Sequence, residues 1–279
     1  MLLALSHGGR INRVLRSSLF VNRAKTKRYL ALSPLLLMVL IAAAKLTIGR
    51  THSYRHMLDE GGFVEYLTAI SLFAGSLIAL LTAQHFRRSG ERNLAAISFV
   101  YAAFLFVFWG EEVSWGQRTI GWLMSELLSW RLPQFFVEYN AQEEFNFHNL
   151  IWVVPFMKIA SALVGILVAL LTLLGIWLLR DGSTKRHIAV RRLVRYSVPG
   201  WYLMPLFVFS SAFLSLVSYC EVHCPHDRYF GIIIPADSEI GECVLAVSFL
   251  LFVLANFLRQ AAAEQDLNGT LSPQPLLHA

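Results

Sequence analysis

Charge is scarce in this chain: Asp, Glu, Lys and Arg together supply 15% of its 279 residues. Soluble domains carry about 25%, so a surface that faces water on all sides is excluded. Cysteine is scarcer still, with only Cys220, Cys224 and Cys243, too few for a fold stapled by disulfides. No Gly-x-Ser-x-Gly, no His-Glu-x-x-His, no Glu-x-x-His pair, no Gly-rich phosphate loop and no dinucleotide fingerprint occurs. Those absences remove the standard serine-hydrolase, zinc-protease, di-iron and nucleotide-binding signatures. Acid is missing altogether from residues 1–28, which hold seven basic side chains.

What is present is hydrocarbon: 56% hydrophobic residues and a mean hydropathy of +0.54. Six apolar runs, at about 30–48, 62–83, 94–110, 150–179, 198–219 and 240–258, approach or exceed the length that crosses a bilayer as helix. They predict an all-α integral membrane protein, a bundle of six transmembrane helices. Pro155 and Lys158 mark a kink or an interfacial first turn in the fourth run, and Pro205 lies inside the fifth. The chain divides into a basic cytoplasmic arm (1–29), a membrane domain (30–259) and a disordered cytoplasmic tail (260–279) with Gly269, Pro273 and Pro275. An organellar transit peptide is the competing reading of the arm; a spanning run follows it directly, which favours the arm.

Seventeen of the 24 basic residues fall in the N-terminal arm, the loops after the second and fourth runs and the position after the sixth run, whereas 14 of the 18 acids fall at the opposite edge. The positive-inside rule then sets both termini in the cytoplasm, for a multi-pass protein of the cell inner (plasma) membrane. Membrane lipid is the expected partner. The net charge of +6 does not point to nucleic acid, because the basic residues sit in short loops between spans. Residues 120–136, with Trp122, Trp130, Phe135 and Phe136, read as an interfacial helix on the outer leaflet, broken at Pro133. Lys45, near the outer end of the first run, is expected to snorkel to the interface.

Two polar stretches stand at the outer edge. Gly110-Glu111-Glu112-Val113-Ser114-Trp115-Gly116-Gln117-Arg118 ends the third run, and Asn140-Ala141-Gln142-Glu143-Glu144-Phe145-Asn146-Phe147-His148-Asn149 precedes the fourth. Glu144 and His148 share a side whether the second stretch is extended or helical. Together the two stretches resemble a family of uncharacterised bacterial polytopic membrane proteins, marked by Glu-Glu-Ile-Ser-Trp-Gly-Gln-Arg followed by Asn-x-Gln-x-Glu-x-Asn-x-His-Asn. Val113 replaces the Ile. The resemblance implies a membrane fold and no particular activity.

Carboxylates this close to hydrocarbon need partners. One reading makes them a site for a divalent metal such as Zn, with Glu111, Glu112, Glu144 and His148 as ligands. The protein would then be a hydrolase or transferase acting on a lipid or lipid-linked substrate, with Glu111, Glu144 and His148 catalytic and Trp115, Gln117, Arg118, Asn140, Gln142 and Asn146 binding substrate. The other reading is non-catalytic: a membrane scaffold, accessory subunit or solute-binding or transport protein whose acids pair with Arg55, Arg118, Arg131 or Arg228. Glu65 and Glu242 would join the same outer pocket. If the third helix continued past Glu112, Glu111 and Arg118 would share a face. Cys220 and Cys224 form a disulfide in one reading and stay thiols in another; Cys243 packs as an apolar residue.

Overall fold

The computed structural model describes residues 23–59, 61–117, 134–140, 146–147, 150–180, 185–223 and 235–270. Among them no strand occurs, only an isolated antiparallel bridge between Asn140 and Leu150. The helices are α1 (Arg23–Ile48), α2 (His52–Leu58), α3 (Phe63–Arg88), α4 (Arg92–Glu112), α5 (Gln134–Tyr139), α6 (Val154–Arg180), α7 (Lys185–Ser197), α8 (Met204–His223) and α9 (Ser238–Thr270). Among the described residues, three segments are long and apolar enough to cross a membrane: His52–Arg88, Arg92–Glu112 and Ser238–Ala261. Shorter apolar helical stretches, Leu32–Ile48, Leu163–Leu178 and Met204–Cys220, lie in α1, α6 and α8. Large apolar side chains such as Leu36, Ile70, Leu77, Ile166 and Leu170 are exposed along these helices, a liability in water and the expected surface in lipid.

α3 and α4 form a tight antiparallel hairpin. Its turn is a complete Schellman motif: Gly90 has φ +79°, its amide bonds Arg87 O, and the Glu91 amide bonds Phe86 O at 2.9 Å. Glycine takes that left-handed position without the strain a Cβ brings. α3 packs between α4 and α9, and α8 packs between α9 and α6.

Hydrocarbon gives helices little reason to associate, so small residues and interhelical hydrogen bonds carry the contacts. A Cβ on Gly75 would come within 3.1 Å of Leu105 on α4 and 3.6 Å of the Leu250 backbone on α9. Ser76 donates to Ala102 O at 2.8 Å, joining α3 to α4. The Gly165 amide donates to Ser211 Oγ at 2.7 Å, joining α6 to α8. Ser210 donates to Gly241 O at 2.7 Å, joining α8 to α9. Around these contacts Leu72, Leu105, Leu203, Phe207 and Phe252 form the central core.

The basic end of the bundle is built on α7. Helix C-termini leave carbonyls without intrahelical partners, and here side chains from two other helices supply the donors. Arg259 donates to Arg195 O, Asn256 to Tyr196 O and Tyr101 to Ser197 O, each at 2.8 Å. Arg192 pairs with Glu91 of the α3–α4 turn. Tyr196 packs with Phe86, Leu94 and Ala95 beneath; burial pushes its phenol up, against the pull of Arg192, Arg259 and Arg195.

Several elements differ from the sequence expectation. α8 begins at Met204, because Pro199 and Gly200 hold the preceding residues out of helix and Pro205 then fits the first turn. α9 continues to Thr270, so the first part of the segment expected to be disordered is helical; the run Ala261-Ala262-Ala263-Glu264 favours helix without any apolar stripe. α1 already begins at Arg23, inside the expected arm. Residues 185–197, expected only as a basic loop, form α7. Most of the expected interfacial helix lies outside the described residues. Its described end is α5, which starts directly after Pro133.

Candidate functional site

The last turn of α4 carries Trp109, Gly110, Glu111 and Glu112 to the acidic end of the bundle. The chain then leaves the helix abruptly. Ser114, Trp115 and Gly116 have φ of 48°, 51° and 85°, three left-handed residues in succession. For residues other than glycine that conformation costs about 1–2 kcal/mol each, so the surroundings must hold it.

They do so through one connected network. The Trp115 ring folds back over Gly110, where a Cβ would stand 2.7 Å from it. The indole Nε1 donates to Glu111 Oε1 at 2.7 Å. The other carboxylate oxygen, Glu111 Oε2, accepts the backbone N–H of Phe147 at 2.6 Å. Ser114 is fully buried, and its Oγ accepts from Asn146 Nδ2 at 3.2 Å. Asn146 is in turn gripped by Asn140 Nδ2, which donates to its Oδ1 and its backbone O, both at 2.8 Å. The Ile151 amide donates to Tyr139 O at 3.0 Å beside the Asn140–Leu150 bridge. Gly110, Glu111, Ser114, Trp115, Gly116, Asn140 and Asn146 thus form a single unit that ties the end of α4 to the segment entering α6.

The remaining expected site residues divide. Gln117 is half-buried at the end of the left-handed run. Arg118, Gln142, Glu144 and His148 lie outside the described residues. The shared face of Glu111 and Arg118 required a continuous helix; the helix stops at Glu112, so that argument ends with it. Glu65, Glu111, Glu112 and Glu242 are expected from the sequence to share one outer pocket with Glu144 and His148, and the last two lie outside the described residues. Glu65 Oε2 turns to the Gly61 amide at 2.6 Å, and Glu242 is exposed. Glu112 and Glu239 lie close enough to Cys243 for their charges to act there, and the Cys243 thiol meets the Thr68 hydroxyl.

A second buried polar group was missed from the sequence. Asp237 has no solvent exposure. Lys45 Nζ donates to both its oxygens, at 2.7 and 2.5 Å, and Tyr54 OH donates to Oδ1 at 2.7 Å. The ammonium also lies 4.5 Å from the centre of the Tyr54 ring. Lys45 therefore pairs inward instead of snorkelling: an acid in reach at the start of α9 outweighs the interface. A lone Lys in one apolar run and an Asp just before another was the available signal.

The chain matches no family model, no curated protein and no solved structure. Its chemistry is therefore read from these contacts. Among the described residues no three His, Cys, Asp or Glu side chains converge as metal ligands; Glu144 and His148, half of the expected ligand set, are not among them. Cys220 and Cys243 are buried, and Cys224, the other half of the expected disulfide, lies outside the described residues.

Proposed function

We propose that the chain is a six-span protein of the inner (plasma) membrane with both termini cytoplasmic, and that its Glu111 cluster is a non-catalytic latch. In this reading the protein is a membrane scaffold or accessory subunit. The observation that carries it is the engagement of both Glu111 oxygens by donors belonging to the fold, Trp115 Nε1 and Phe147 N. A carboxylate that accepts two such bonds is holding structure together at the edge of the hydrocarbon. The separation of Arg87, Arg88, Arg92, Arg192 and Arg259 from Glu65, Glu111, Asp237 and Glu239 at opposite ends of the bundle supports the orientation. The resemblance of residues 110–118 and 140–149 to a family of bacterial polytopic membrane proteins supports the membrane setting.

Elemental analysis of the purified protein tests the latch against the alternative. The latch predicts no stoichiometric Zn, Fe or Mn. Stoichiometric metal that disappears in Glu111→Gln would support the lipid hydrolase or transferase reading, with Glu144 and His148 as the other ligands. Reporter fusions test the topology: those at residues 90, 188 and 265 should read cytoplasmic and those at 55 and 228 external. A cytoplasmic reading at 55 would overturn the orientation.

A further inference from the structure

α1 meets the bundle chiefly through α8 and α9, and an apolar slot of about 130 Å³ remains between α1, α3 and α9. One wall is the α1 stripe Leu37, Ile41, Ala44 and Ile48, the other includes Cys243 and Val247 of α9, and Tyr54 of α2 lies at one end. From Leu37 to Ile48 the slot runs roughly 16 Å along α1 at 1.5 Å per residue, about half of a 30 Å hydrocarbon layer. It therefore has the depth of one leaflet, and it lies at the acidic end of the bundle. Engineered apolar cavities of about this size stay dry and take apolar guests, so hydrocarbon suits the slot better than water.

The charges beside the slot choose the headgroup. Arg50 and Arg55 are exposed, within two residues of the lining residues Ile48 and Tyr54. His52 and His56 are exposed on the same short helix, and Asp59, just after it, lies 3.9 Å from His56. Lys45 is already neutralised by Asp237. Two exposed guanidinium groups, each within two residues of a side chain lining a chain-deep apolar slot, match a phosphodiester above an acyl chain. We propose that this slot binds one acyl chain of an anionic glycerophospholipid, with its phosphate held by Arg50 and Arg55. The proposal rests on the membrane reading above and is independent of the latch.

The test is native mass spectrometry of the full chain in mild detergent, with phosphatidylglycerol and phosphatidylethanolamine added in equal amounts. The wild type should retain one phosphatidylglycerol. Ala44→Phe, which fills the slot, should lower the retained lipid by about tenfold. Leu40→Phe, on the exposed side of α1, should leave it unchanged. Arg50→Gln with Arg55→Gln should reduce the preference for phosphatidylglycerol by about fivefold; both side chains are exposed, so this variant carries the test even if Ala44→Phe fails to fold. Lipid retained equally by wild type and Ala44→Phe would overturn the proposal. So would an increase in bound lipid on deleting residues 1–22, which would make the N-terminal segment the occupant. Glu111→Gln should keep its lipid; a cytoplasmic reporter reading at residue 55 would overturn the orientation and leave the lipid assay standing.

Discussion

Asp237→Asn should cost about 3–5 kcal/mol of stability, because it leaves the Lys45 ammonium in a mostly buried position without its counter-charge. The side chain of Lys45 is 14% exposed and that of Asp237 is 0% exposed, so water offers little compensation. Removing both charges is a different matter: Lys45→Met with Asp237→Leu should recover most of the loss, since an apolar pair needs no desolvation. Tyr54→Phe should cost less, about 1 kcal/mol, because it removes one neutral donor from a carboxylate that keeps its lysine. Unfolding of the purified variants in mixed micelles, followed by circular dichroism, measures all three. A loss under about 0.5 kcal/mol for Asp237→Asn, as at an ordinary surface site, would contradict the buried pair.

Gly110→Ala should be the most damaging methyl group that can be added at the end of α4. Its Cβ would sit 2.7–2.8 Å from three carbons of the Trp115 ring. The ring has to leave, and the indole bond to Glu111 goes with it, for an expected loss of about 2–4 kcal/mol. The sign should reverse once the ring is gone. In a Trp115→Ala background, Gly110→Ala removes no contact and replaces a helical glycine, so it should stabilise by about 0.5–1 kcal/mol. The same unfolding measurement on the four combinations reads the reversal; Gly110→Ala costing the same in both backgrounds would mean that the ring does not lie over this glycine.

How far the sequence foretold these features depends on the range over which each is encoded. Each of the six apolar runs contains a helix because hydropathy acts locally, residue by residue. The α3–α4 turn is equally local, a glycine placed where a left-handed residue is needed. The exit from α4 is not. Gly116 signals a break, but Ser114 and Trp115 carry no preference for positive φ, and they adopt it only because Asn146 and Glu111 hold them from outside. The Lys45–Asp237 pair spans 192 positions, and no rule of spacing reaches that far. α7 was hidden for another reason: counting its arginines fixes an orientation without asking about conformation, and its anchoring donors come from α4 and α9. Among the acids, Glu111 takes an indole and a backbone amide, Glu65 a backbone amide and Asp237 a lysine and a phenol; Arg118, Arg131 and Arg228, three of the four expected arginine partners, lie outside the described residues.

A double-mutant cycle between Glu111 and Trp115 tests the latch most directly. Glu111→Ala and Trp115→Phe each break the indole–carboxylate bond, Glu111→Ala also frees the Phe147 amide, and Trp115→Phe keeps a ring over Gly110. If the carboxylate serves the fold, the two changes together should cost less than the sum of their separate costs, with a coupling of about 1–2 kcal/mol in the unfolding free energy. Costs that add to within about 0.5 kcal/mol would show that the two side chains do not act as one unit, and the latch would be contradicted.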